Sequence, residues 1–247
     1  HSNLRRQRQM CIRDRALTTL DINQSAGDIS FTVPGVGSGG NAGVTGATRI
    51  GNAASGDIIF SGANANAYNF GGALTVTSNG GAGAFQFTGA DPTLTAGGAV
   101  TFTEGSGTDD TLVLADLKDL TITTASANAN ITLPNIDGTA GDGNDGTDLT
   151  ILAGTGNVSV KSIDTDINDL RIDGTTITLT GSITTAAHNP GSADPASIDI
   201  NGAAVIGAGI TLTSGNGTVD FSGTVDSDNG ENRALTIVSG SGATAIN

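Results

Sequence analysis

The chain has 247 residues, 38 of them glycine, with 36% hydrophobic content, 3% aromatic content and no tryptophan, a composition far from that of an ordinary enzyme domain. Ten Lys and Arg stand against 24 Asp and Glu, a formal charge of −14, so the surface repels nucleic acid phosphates and anionic lipid headgroups. Cys11 is the only cysteine, which leaves no disulfide and no thiolate metal site in the body of the chain.

The first fifteen residues, HSNLRRQRQMCIRDR, hold five of the ten basic side chains. Without them, Ala16 to Asn247 carries five basic and 23 acidic residues, a net charge of −18. This head shares neither the glycine content nor the periodicity of the rest of the chain. Residues 1–15 are therefore expected to be non-native or disordered, with a basic linker as the competing reading. MCIRDR resembles translated sequencing-adapter sequence found at the ends of metagenomic reading frames. Residues 16–247 are expected to form one domain, a fragment of a larger protein. No run of 18 apolar residues offers a membrane span.

From Ala16 onward one phrase recurs: Leu-Thr-Ile/Val, a Gly/Ser/Asn turn, then Gly-x-Val-x-Phe/Val. It opens in ALTTLDINQSAGDISFTV from Ala16, and a fragment, GDIIFSG, appears at Gly56. It is plain in ALTVTSNGGAGAFQFTGA from Ala73, and further copies start at Asp119 (DLTITTASANANITLPNI), Asp148 (DLTILAGTGNVSVKSI) and Asp169 (DLRIDGTTITLTGSI). GITLTSGNGTVDFSGTV from Gly209 and ALTIVSGSGATAI from Ala234 complete the set. Starts at Ala73, Gly98, Asp119, Asp148 and Asp169 give a loose period in the twenties. Such a period suits one solenoid coil and is too short for a propeller blade.

Within each phrase the aliphatics alternate with threonines, as in Leu74-Thr75-Val76-Thr77, the pattern of a strand with one face buried and one wet. Glycine and Asn/Asp/Ser clusters between them supply corners. The expected fold is all-β, a right-handed parallel β-helix with coils of about 20–29 residues, in which stacked coils bury a continuous core. A β-sandwich is the alternative, although it favours hairpin turns at closer spacing. Disorder is disfavoured, because the aliphatics come in ordered alternation.

Leu149 to Val158 (LTILAGTGNV) and Thr218 to Val225 (TVDFSGTV) resemble the repeat regions of filamentous haemagglutinin-like and autotransporter-like bacterial adhesins. That resemblance spans 16–247 by composition and period. It implies a right-handed β-helix, export to the cell surface, and attachment to a glycan or protein receptor on a host or neighbouring cell. Projecting loops are expected at Pro34 to Arg49, Ile136 to Asp148 and Ala186 to Ser197.

Three features compete with a purely structural role. Asp142, Asn144, Asp145 and Asp148, in a glycine-flexed loop, are the candidate Ca²⁺ ligands, since hard oxygen donors suit that ion. Gly141 to Asp145 resembles one unit of the RTX calcium-binding nonapeptide, with a poorer echo at Gly105 to Asp110, although that family uses tandem units. A solvated turn explains the same residues. Second, Thr-x-Thr pairs at Thr75/Thr77, Thr93/Thr95, Thr101/Thr103, Thr121/Thr123, Thr178/Thr180 and Thr211/Thr213 resemble the hydroxyl lattice of ice-binding β-solenoids if they share a face; β-branched residues at wet strand positions are the plainer account. Third, carbohydrate-active β-helix enzymes need aromatic sugar platforms, and the near pair Tyr68 with Phe70 is read as a coil insertion. His188, in a Pro/Gly/Asp loop, has no evident triad partners. A non-catalytic, cofactor-free surface stalk is the expected function.

Overall fold

A computed structural model describes residues 19–24, 28–31, 46–52, 57–61, 67–78, 85–89, 91–103, 111–115, 119–138, 147–164, 166–186 and 196–246. The chain winds as a parallel β-helix. No α-helix occurs among the described residues, and the one helical turn is a 3₁₀ turn at Asp228–Gly230. The basic head, the candidate ligands Asp142, Asn144 and Asp145, His188 and most of the three expected loops lie outside the described residues.

Each coil visits three sheets in a fixed order. The first sheet runs through Leu20–Gln24, Thr48–Asn52, Leu74–Ser78, Val100–Thr103, Ile131–Leu133 and Val158–Val160. It continues along the C-terminal part of Ile167–Leu179 and of Ala196–Ile206, and closes on Val225–Ser227. The second sheet contains Ile29–Phe31, Ile58–Phe60, Phe85–Phe87, Thr111–Leu114 and Asn135–Gly138, then bridges at Ile163 to Ile183–Thr184, Ile210–Thr213 and Leu235–Val238. The third stacks Ala67–Phe70, Thr93–Ala96, Leu120–Thr123 and Thr147–Leu152. It then takes in the N-terminal part of Ile167–Leu179 and of Ala196–Ile206, followed by Asn216–Phe221 and Thr244–Ile246.

Every pairing is parallel. Leu149 to Leu152 lies between Leu120–Thr123 and Leu170 to Asp173, not against Val158–Val160 across the Gly154-Thr155-Gly156 turn, so the phrase is a corner and not a hairpin. The sandwich alternative is thereby removed. Coil length varies more than the phrase starts imply. On the first sheet the coil from Val100 to its partner Ile131 is more than half as long again as the one from Val158 to its partner Ile177.

The alternation works as the sequence predicts. Leu149, Ile151, Val158 and Val160 are all buried, while Thr150, Leu152 and Ser159 on the outer side are partly exposed. Inward columns such as Leu94, Ile122, Ile151, Ile172 and Ile200 stack coil upon coil, which buries apolar surface that a single coil would leave wet. Tyr68 and Phe70 are a correction to the sequence reading: they lie in a strand and point inward, 2% and 8% exposed. With Phe60 and Phe87, whose rings stack at 4.7 Å, and the edge-on pair Phe60 and Tyr68 at 5.3 Å, they fill the core where aromatics replace aliphatics.

One corner narrows to glycine. Gly156, Gly174, Gly202 and Gly223 succeed one another where the third sheet turns into the first. A Cβ built on Gly202 would drive into the Gly174 carbonyl, and one on Gly223 into that of Gly202. Ile167–Leu179 and Ala196–Ile206 pass this corner without a loop, with a register shift between Asp173 and Thr176.

Candidate functional site

The aspartate at the start of successive third-sheet strands, which heads the Asp-Leu-Thr phrase at Asp119 and Asp148, has a structural task at the corner before that sheet. Its carboxylate accepts the backbone N–H of the equivalent residue one coil later, a group that sheet pairing leaves unpaired there. Asp91 Oδ1 accepts from Asp119 N at 3.4 Å, Asp119 Oδ1 from Asp148 N at 3.0 Å, and Asp148 Oδ1 from Asp169 N at 3.1 Å. Asp169 Oδ1 ends the series, accepting from Ser197 N at 2.7 Å and Ser197 Oγ at 2.6 Å. Asparagines do the same elsewhere: Asn128 and Asn130 accept from Thr155 N and Asn157 N at 3.0 and 2.9 Å, and Asn216 from Ser241 N at 3.3 Å. The repeated Asp is legible in the sequence, but its partner is not, because it lies a full coil away along the chain.

Asp148, the described member of the candidate calcium set, is thus a rung of this series. It also accepts from Asn168 Nδ2 at 3.5 Å. Among the described residues no group of three or more His, Cys, Asp or Glu side chains is placed to hold a metal.

The stacking crowds carboxylates. Partial burial pushes the Asp148 carboxyl above the usual range, the N–H of Asp169 draws it back, and Asp119 and Asp169 push it up again. Burial raises Asp199, with Asp220 and Asp169 adding to it, and burial raises Asp137, with Asp164 and Asp166 adding to it. A carboxyl raised in the folded state binds its proton more tightly there than in the unfolded chain. Its stabilising contribution is complete below the unfolded value, near 3.8, and is lost as pH rises through the folded one. The thermal midpoint should therefore rise on acidification from pH ~7 toward pH ~4.5. Calorimetry at constant ionic strength checks this, and a midpoint that falls steadily over that window contradicts it.

The Thr-x-Thr pairs divide among three faces: Thr75/Thr77, Thr101/Thr103 and Thr178/Thr180 on the first sheet or its edge, Thr93/Thr95 and Thr121/Thr123 on the third, Thr211/Thr213 on the second. One row is long: Thr75, Thr101, Thr132, Ser159 and Thr178 stand in direct register on successive coils of the first sheet. Beside it lies an open depression of about 330 Å³ lined by Thr103, Thr132, Pro134, Ser159, Lys161 and Thr180 over Phe102 and Leu133, with no carboxylate and no histidine in its wall. Among the described residues, Arg171 pairs with Asp173 at 2.8 Å and Arg233 with Glu231 at 2.6 Å. No helix among the described residues is long and apolar enough to cross a membrane. Comparison with family models, curated proteins and solved structures finds no match to this chain.

Proposed function

We propose that the chain is a non-catalytic display segment of a secreted or cell-surface bacterial protein, an adhesin-type stalk that holds loops toward a glycan or protein receptor on a host or neighbouring cell. The observation that carries this reading is the unbroken inward column of aliphatic and aromatic side chains on all three sheets. The interior is filled, so ligand chemistry falls to the outer faces and the loops. The resemblance to filamentous haemagglutinin-like repeats supports the same reading, and the net negative charge makes nucleic acid an unfavourable partner. In this reading calcium, if bound through Asp142, Asn144, Asp145 and Asp148, stiffens a loop and performs no chemistry.

The test is two assays on one preparation. The purified chain, immobilised on beads, should retain cells or glycans bearing its receptor, and incubation with a panel of sugar polymers should release no reducing ends. Release at an enzymatic rate would overturn the reading in favour of a carbohydrate-active β-helix. A second reading, binding to ice, is favoured by the hydroxyl row from Thr75 to Thr178. It requires thermal hysteresis that disappears in Thr132→Tyr.

A further inference from the structure

One polar atom on the outer face of the third sheet lacks what burial demands. Asp220 Oδ1, on Asn216–Phe221, is shut off from solvent and has no hydrogen-bond partner among the described residues. A buried oxygen of this kind costs stability unless a donor reaches it. Its register neighbours narrow the choice of donor. On one side stands Ala245, whose side chain has none, and on the other Asp199, side by side with it at the strand spacing of ~4.8 Å.

The cation of this row is committed elsewhere. Arg171 stands one coil before Asp199, and its guanidinium donates to both carboxylate oxygens of Asp173. The Asn201 amide donates to Asp173 as well. Asp169 and Asp173 on the preceding coil add negative charge, and the following strand, Thr244–Ile246, carries no charged side chain. Burial, above all, holds the Asp199 carboxyl above the usual range, with Asp220, Asp169 and Asp173 pushing the same way and Arg171 opposing them.

We propose that Asp199 and Asp220 share one proton, Asp199 as the carboxylic acid donating to Asp220 Oδ1, and that this bond is an acid-set clasp between two successive coils. The proton comes from solvent, and the bridged pair keeps one negative charge. As pH rises through the raised Asp199 value the clasp is lost: both groups ionise and repel, Asp220 Oδ1 is left without a donor, and the contact between Ala196–Ile206 and Asn216–Phe221 loosens. The inference stands on the register and on the unpartnered oxygen, independently of any receptor.

Thermal unfolding of Asp199→Asn and Asp199→Ala beside the parent, at pH ~7 and pH ~4.5, separates a bond from mere relief of repulsion. Both variants remove the same charge, but only asparagine offers Asp220 Oδ1 a permanent N–H donor. At pH ~7 Asp199→Asn should raise the midpoint by about 2–5 °C, with Asp199→Ala clearly below it, and toward pH ~4.5 the parent should close on Asp199→Asn. Carbon-13 spectra of the parent should show the Asp199 and Asp220 carboxyl carbons shifting together in one step. Equal midpoints for the two variants at pH ~7, a gap between parent and Asp199→Asn that is the same at both pH values, or carboxyl carbons that titrate separately would each overturn the proposal. So would a chelator-induced fall in the parent's midpoint that Asp199→Asn abolishes, because a cation held between the carboxylates would then be the missing partner.

Discussion

Replacing Ile151 by alanine should lower the free energy of unfolding by about 2–5 kcal/mol, whereas Thr150→Ala beside it should cost less than about 1 kcal/mol. Ile151 is fully buried, with Ile122 below it and Ile172 above it in the same inward column. Truncation removes three heavy atoms from a site whose walls are held by two parallel ladders and cannot collapse, so the lost transfer energy and the cavity add. Thr150 points the other way, between Thr121 and Arg171 on the wet face, where water replaces what the methyl and hydroxyl leave. Chemical denaturation of the two variants gives the comparison directly. Equal losses from both would mean that the two faces of the strand are not distinguished.

Gly202→Ala is the second large effect expected, a loss of about 3 kcal/mol from a single added methyl. The clash is with the Gly174 carbonyl, which is backbone, so no side chain can rotate away to relieve it. Nor can the coils separate locally, because Asp173 and Asn201 pair on one side of the corner and Ile177 and Ala204 on the other. Gly209→Ala is the control, since nothing lies within 4 Å of a Cβ there. Thermal midpoints of the two variants should part clearly, and a Gly202→Ala protein as stable as the control would show that the column has slack.

The strand and its polarity are legible in the sequence. The alternation in Leu149 to Leu152 and Val158 to Val160 dictates which side chains face inward, and the glycine clusters mark corners. The assignment of a phrase to a place in the coil is not legible. The copy at Leu74 turns from the first sheet to the second, the copy at Leu149 from the third to the first, and the copy at Ile210 from the second to the third. All three sides have the same in-out alternation, so local sequence carries no label for the side. Only the partner strand one coil away supplies one. That is why the phrase starts give an uneven period. The candidate calcium set is a similar case: Asp148 stands out as a donor-rich loop residue, but its bond to Asp169 N depends on the stacking of two coils. Tyr68 misleads because an aromatic in an aliphatic repeat looks like an interruption, when its position in Ala67–Phe70 is inward.

The direction of the hydrogen bonds decides how such a molecule yields when its two ends are pulled apart. In a parallel β-helix the bonds between coils run along the long axis, so tension loads them one rung at a time and peels the rod from its ends, where sheets loaded in shear would resist together. Each rung released frees one coil of chain, roughly 20–30 residues and so about 70–100 Å of slack at ~3.4 Å per residue. The uneven coil lengths become an ordered series of uneven extensions. A rod built this way lengthens under load many times before it lets go, and the Asp and Asn bonds at its corners add to the ladder bonds that each step must break.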